Sequence, residues 1–437
     1  MLSDASAGRT KAEIDAVLGD YAPVAYINSE NLSLANAFFV RSDFSDKIST
    51  VFTSTLKGKY NAEVISDDFR TPDKMNSWIE NQTLGILKDT FKSEDLKDST
   101  LFALMNAVAI DMNWNYQIQC TGSIGTGDIP PAPCKGYYNV SYKHEKFRHT
   151  VPIAANYNEF EKIEFGDNLV KAGKIGASIN NYDIVKELGE DHIRQTVLDA
   201  YEQYKLEMAT RAMSYDDDYD IDKYMDELKS NYGKVEASTD FSFAVTDNEK
   251  VFRKNLKESD GAILEYIGIM PTSTTLEDYV NNLTADSLED VIGKTRPVEL
   301  NNFPKGIVTK IDGYIPFFDF DKEMDLTELL PELGIKDVFN PEAANLSAMV
   351  KDDEDASNLI IDSAKHKASI TFSTDGIRAA AATMSVGAGG SNAGFQYDWD
   401  VPVEEVDLTF DKPFLFLIRN KTTKEVWFMG QVVEIKN

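Results

Sequence analysis

The chain has 437 residues, enough for one large domain or two or three ordinary ones, and 42% hydrophobic and 11% aromatic residues supply a sizeable core. Its 44 Lys and Arg face 73 Asp and Glu, a formal net charge of -29 that repels phosphate backbones and anionic membranes and argues against nucleic-acid binding. No apolar run approaches the ~20 residues that cross a bilayer, and the opening Met1, Leu2, Ser3, Asp4 shows neither the basic nor the apolar region of a secretory leader.

Residues 10–18 predict a helix, with Ile14, Val17 and Leu18 at helical spacing after Gly8, Arg9 and Thr10. LANAFFV, residues 34–40, is β-branched and aromatic enough for a strand. DKISTVFTSTLKGKY predicts a helix stopped at Gly58, and AEVISDDF a short strand before a turn at Pro72. Met75, Trp78, Ile79 and Thr83 share one face of the next helix. Residues 101–112 then read as one long buried strand.

Composition shifts after Trp114. Cys120 and Cys134 flank TGSIGTGDIPPAP, a tight loop. A disulfide could close it, implying an oxidising compartment, or the two thiols could stand unpaired; their spacing is not a zinc pattern. A Tyr-rich patch and two helical stretches follow, 184–212 and 221–231. The acidic run SYDDDYDIDKY joins them. It lacks the glycine and closing glutamate of a calcium loop, so it reads as a solvated linker and no metal is expected.

GAILEYIGIMP predicts a buried strand, TTLEDYVNNLTADSLEDVIG two short helices, GIVTKIDGYIPFFDFD a strand-like stretch, and MDLTELLPELGI a helix interrupted at Pro331. From 364 to 372 the pattern alternates strictly, with Ala364, His366, Ala368, Ile370 and Phe372 on one side. PFLFLIRN and EVWFMGQVVEI close the chain as two strands joined by NKTTK. No repeat of solenoid or propeller period is visible. With helices early and strands late, the class is mixed α+β with large antiparallel sheets.

Six stretches resemble the serpin (serine protease inhibitor) superfamily. NSWIENQTLGILKD resembles its WVxxKTxGxIxD helix, FALMNAVAIDMNW its LVNAxYFxGxW strand, and LSDASAGRTKAEI its glycine-bearing helix junction. LPELGIKDVFNPEAANLSAM, AKHKASITFSTDGIRAAAAT and DKPFLFLIRNKTTKEVWFMGQVV resemble its later motifs in family order. The match spans nearly the whole chain apart from about 117–240. It implies a single α+β serpin domain over 1–437, with a mixed main sheet, further antiparallel sheets, flanking helices and an exposed reactive-centre loop over 376–410. The stretch 117–240 is a family-atypical insertion. Its apolar residues are sparse between Ser214 and Ser238, so deleting 178–233 is expected to leave a folded remainder.

The resemblance further implies a suicide substrate and not an enzyme. A protease attacks the loop, forms an acyl-enzyme, and is trapped when the cut loop inserts into the main sheet of a metastable fold. Ala379, Ala380, Ala381, Ala382 and Thr383 suit a segment that must become a central strand without clashes, and Gly376 gives the hinge its freedom. Ile377 and Arg378 depart from the family's small residue and glutamate, and Ile377 is expected to strain the core on insertion. Asn106 and His366 match the shutter residues that bond across parting strands, and Trp114 matches the breach tryptophan.

Counting forward from Gly376 puts the scissile bond at Gly390 and Ser391, and counting back from Pro413 puts it near Val401; we expect it between Gly387 and Asp400. No Arg or Lys stands between Ala379 and Asp411, so trypsin is not an expected target. Small residues Ala388, Gly390 and Ala393 favour an elastase- or subtilisin-like protease over a chymotrypsin-like one. Aromatic Phe395, Tyr397 and Trp399 would suit the latter, but Asp398 and Asp400 crowd them. The alternative is a serpin-fold binding or structural protein that no longer inserts its loop. The family's first helix and strand have no counterpart before LSDASAG, so we expect a truncated bacterial member whose secretion signal lay in the missing part. It is expected to act as a monomer without cofactors, outside the cell or on its surface.

Overall fold

The computed structural model describes residues 1–19, 31–115, 118, 161–211, 219–237, 240–259, 261–351, 359–361, 364–373, 376–377, 395 and 397–435. It comprises two compact units: residues 1–112, 258–262 and 319–372 form the first, and 113–257, 263–318 and 373–437 the second.

Helices α1 (Leu2–Ala5) and α2 (Gly8–Leu18) open the chain. Thr10 fixes the start of α2, donating its hydroxyl to the Ala343 carbonyl at 3.3 Å and accepting from the Asn345 amide at 3.0 Å. Ile14 is buried, whereas Val17 and Leu18, expected on the apolar face, are 41% and 46% exposed because the last turn runs past these anchors. Strand β1 (Leu32–Arg41) precedes α3 (Thr50–Tyr60). Gly58 does not stop α3. A helical glycine costs only about 1 kcal/mol, and burial of Phe52 and Leu56 holds the helix until Asn61 adopts the left-handed conformation.

Strand β2 (Glu63–Asp67), α4 (Asp73–Gln82) and β3 (Phe102–Ile110) follow. β1 is central, parallel to β2 and antiparallel to β3, so strands enter the fold early, between the first helices. Alternation sends Phe38 and Val40 towards Phe52 and Leu56, and Ala37 and Phe39 towards Met75, Trp78 and Ile79 of α4. Burial on both faces explains the near-continuous apolar run of β1. The long strand expected over 101–112 breaks at Asp111, whose amide turns aside to the Asn31 carbonyl at 2.7 Å; β4 (Met112–Asn113) resumes beyond it.

In the second unit β5 (Glu161–Phe165) and β6 (Asn168–Asn180) form a hairpin. The single helix expected over 184–212 is two, α5 (Ile184–Leu188) and α6 (Glu190–Thr210), divided at Gly189 with φ 83. Helix α7 (Ile221–Asn231) starts at Asp220, whose carboxylate accepts the Lys223 amide at 2.9 Å. β7 (Lys234–Ala237) returns to β6. Next come β8 (Ser242–Val245), β9 (Glu249–Asn255), β10 (Leu264–Pro271), α8 (Leu276–Asn281), α9 (Ala285–Gly293), β11 (Arg296–Pro297) and β12 (Val308–Pro316). β13 (Phe318–Asp325) leads to α10 (Leu326–Glu332), which continues through Pro331 for one residue, and to β14 (Lys365–Phe372) in the first unit. β15 (Gly376–Ile377), β16 (Val403–Asp407), β17 (Phe414–Asn420) and β18 (Val426–Val432) complete the second.

Two sheets carry the second unit, one of six strands in the order β11-β8-β9-β10-β17-β18, the other running β16-β12-β6-β5 with β7 also on β6. Every residue of β10 is buried. Within it Glu265 lies opposite Arg419 of β17 and accepts from that guanidinium at 2.7 Å and from Arg253 at 2.6 Å. Gly313 of β12 is required by a close approach: a Cβ there would sit 2.6 Å from the Leu408 carbonyl carbon. That approach lets Leu408 and Phe410 donate their amides to the Asp312 and Tyr314 carbonyls at 2.8 and 2.9 Å. Among the described residues no helix is long and apolar enough to cross a membrane.

Candidate functional site

Beyond β14, the Ser373 carbonyl accepts a hydrogen bond from the Trp114 indole Nε1 at 2.9 Å. Trp114 is held from several sides. Its backbone bridges Leu256, its ring meets Tyr266 edge-on at 6.0 Å and 80°, and the Lys254 ammonium lies 5.9 Å from its centroid. Lys254 is itself buried, paired with the Asp240 carboxylate and donating to the Asp240 carbonyl at 2.9 Å. Asn115 donates to the other Asp240 oxygen at 3.2 Å. Burial pushes the Lys254 ammonium down to about 8, against the pull of Asp240. Sequence reasoning found Trp114 and missed Lys254, because a strand lysine reads as solvent-facing. Its place two residues after Phe252, on the same strand face, is the signal that could have revealed it.

Asn106 stands directly opposite Asn36 across the β1–β3 ladder and donates to its side-chain oxygen at 2.9 Å. Asn36 is buried and donates onward to the Tyr60 carbonyl at 3.0 Å. This amide pair is the partner that the sequence did not single out; Asn106 itself is exposed. His366 lies on β14, with its side chain outside the described residues. On the same strand Ile370 and Phe372 are buried as the alternation predicts, and the Thr371 hydroxyl donates to Asp319 at 3.0 Å.

The expected exposed loop over 376–410 differs at both ends. Gly376 and Ile377 form β15, neighbouring β4, and Ile377 is buried. Towards the other end Trp399, Val401, Leu408 and Phe410 are buried. Val308 donates to the Pro402 carbonyl at 2.9 Å, and β16 pairs in parallel with β12. Apolar burial and the parallel ladder with β12 therefore take up the segment from Trp399 onward. Arg378, Ala379, Ala380, Ala381, Ala382, Thr383, Gly390 and Ser391 lie outside the described residues, as do Cys120 and Cys134.

The stretch expected to be an apolar-poor elaboration carries a packed face. Ile184, Ile193, Val197, Met225 and Leu228 form one cluster with Val308, Trp399 and Val401. Among the described residues no group of three or more His, Cys, Asp or Glu is arranged to hold a metal ion.

A family model for serpins, serine protease inhibitors, matches residues 2–121 and 260–435. The chain belongs to the serpin family. It is 23% identical over 410 residues to neuroserpin of Mus musculus, covering 93% of this chain and 72% of that one. Its fold is similar to that of native tengpin, a thermophilic serpin, with TM-score 0.58, 16% identity, and 99% and 85% of the two chains covered. Human thyroxine-binding globulin gives TM-score 0.59 and 16% identity over 100% and 88%. The helical stretch 184–231 lies outside the residues matched by the family model.

Proposed function

We propose that this serpin is a suicide-substrate inhibitor of an elastase- or subtilisin-like serine protease acting outside the cell. The observation that supports it is β15: the strand-forming pair Gly376–Ile377 leads directly into Arg378 and the small-residue run Ala379, Ala380, Ala381, Ala382 and Thr383. Small side chains after an established strand end can extend that strand without clashing with neighbours. The protease serine attacks the carbonyl carbon of Gly390. Its oxygen bonds to that carbon, the Gly390–Ser391 C–N bond breaks, and the protease's base delivers the proton to the departing amine. This chain supplies no catalytic group; its part is to present the bond and then to extend the sheet with the freed strand. Mixing the protein with pancreatic elastase or subtilisin should give an SDS-stable complex and a released fragment beginning at Ser391. Full cleavage without complex would overturn the inhibitory reading.

A second reading, a serpin-fold binding protein whose loop does not insert, is favoured by Ile377. Its bulk stands where the resemblance leads one to expect a small residue. Thyroxine-binding globulin in complex with thyroxine is a neighbour of similar fold.

A further inference from the structure

Helices α6 and α7 are tied to each other by ion pairs, Arg194 to Asp222 at 2.6 Å and Lys229 to Glu190 at 2.5 Å. On α6, Ile193, Val197 and Tyr201 recur every fourth residue and are buried. α7 turns Met225 and Leu228 inward. What covers this apolar face is the chain that leads back from the bait segment.

Phe395 sits among three tyrosines, its ring centroid 5.2 Å from Tyr201, 5.4 Å from Tyr204 and 5.2 Å from Tyr219. Tyr201 and Tyr219 are themselves stacked at 4.8 Å. Four residues on, Trp399 is buried and donates its indole N–H to the Tyr224 hydroxyl at 2.7 Å, while Tyr397 packs edge-on against it at 4.7 Å. Burial pushes the pKa of the Tyr219 and Tyr224 hydroxyls above the ordinary tyrosine value, so both rings stay neutral in the clasp at physiological pH. From Pro402 onward the same arm is fixed by the β12 ladder.

We propose that the α6–α7 hairpin is an aromatic clasp that determines specificity: it holds the C-terminal arm of the bait segment and confines proteolytic attack to bonds before Phe395. A protease must draw several residues of its substrate into an extended conformation around the scissile bond. Phe395 and Trp399 are already committed to the tyrosines of the hairpin and Tyr397 to Trp399, so a chymotrypsin-like pocket cannot take them without opening the clasp. The sequence between Ile377 and Phe395 offers small and aliphatic side chains in place of these aromatics. The word bait rests on the inhibitory reading; the clasp itself does not.

The full chain is treated with chymotrypsin under native conditions, and each cut bond is timed by mass spectrometry against the same bond in the urea-denatured chain. Wild type should resist after Phe395, Tyr397 and Trp399 long after the denatured chain is cut there. Phe395→Ser, which leaves both helices untouched, should raise cleavage after Tyr397 and Trp399 roughly tenfold, as expected when the open population controls the rate. Tyr224→Phe keeps the ring and removes the hydrogen-bond partner of Trp399. It should give a smaller rise at the same two bonds, which separates release of the arm from general unfolding. Native cleavage after Tyr397 or Trp399 at the denatured rate, or no change in either variant, overturns the clasp. Complex formation with elastase is scored on the same samples: its absence in wild type with the clasp pattern intact would reject the inhibitory reading alone.

Discussion

The indole N–H of Trp114 donates to the Ser373 carbonyl at 2.9 Å, so a residue three positions before Gly376 is bonded to a side chain that is itself buried. Trp114→Phe keeps most of the ring packing and removes the donor. Losing one such hydrogen bond costs about 0.5–1.5 kcal/mol, and the urea midpoint should fall accordingly. The Gly376 and Ile377 amides of β15 should exchange faster with solvent as this attachment loosens; unchanged exchange would show that Trp114 packs there without restraining it.

Lys254 makes stability depend on pH. Its ordinary value is 10.5 and its folded value about 8. Between these the unfolded chain binds the extra proton, so the Lys254 contribution rises as pH goes from about 8 to 10.5. Below 8 the full cost of keeping the ammonium from water is present. That difference is at most about 3 kcal/mol. Urea titrations of wild type and Lys254→Met at pH 7, 8.5 and 10 should show the variant lacking this rise, and parallel curves would reject it.

Glu265 is fully buried between Arg253 and Arg419. Glu265→Ala leaves the buried Arg419 guanidinium short of a partner and should cost about 3–5 kcal/mol. The double replacement Glu265→Met with Arg419→Met removes both charges and should recover much of that loss, as read from denaturant midpoints.

Deleting residues 178–233 should produce an insoluble chain, contrary to the expectation from composition. The deletion uncovers Val308, Trp399 and Val401 and removes Ile179 and Asn180, the ladder partners of Thr309 and Val308. A monodisperse, cooperatively unfolding deletion variant would show that this face can do without its helices.

Ala380→Pro tests the inhibitory reading from the loop side. Proline cannot complete a sheet ladder, so the variant should be cleaved by the target protease as readily as wild type while the SDS-stable complex falls at least about tenfold, because a slower insertion loses the race with deacylation. Undiminished complex would mean that trapping does not need this residue in the sheet.

The apolar runs of β10 and β17 were legible because burial on both faces leaves little room for polar residues. α7 was legible to the residue because Asp220 caps it. Two glycines mark the limit of such reading. Gly58 lies inside α3, where Phe52 and Leu56 are anchored in the core, whereas Gly189 turns to φ 83 and divides α5 from α6. Local sequence alone did not separate them, since tertiary anchoring decides whether a helix survives its glycine. Trp114 and Asn106 were read through the family resemblance. Asn36 and Lys254 escaped because burial of a polar strand residue depends on a partner that only the fold supplies. The tyrosines at 201, 204, 219 and 224 carry no local signal of their packing against Phe395 and Trp399, which arrive from almost two hundred residues further along the chain.

With Ile377 built into β15 at one end and Phe395 gripped at the other, the sequence that joins them is anchored at both of its ends within the second unit. A chain anchored at both ends has fewer conformations than a free tail, although its length matters little: each doubling costs only about 0.6 kcal/mol. On the inhibitory reading a protease meets a sequence whose ends are already held together, which lowers what association must still give up. One cut parts the two anchors irreversibly. On that reading the freed segment adds to the sheet while the gripped arm stays with the hairpin, so the two products of a single hydrolysis are held by different elements from the moment they form.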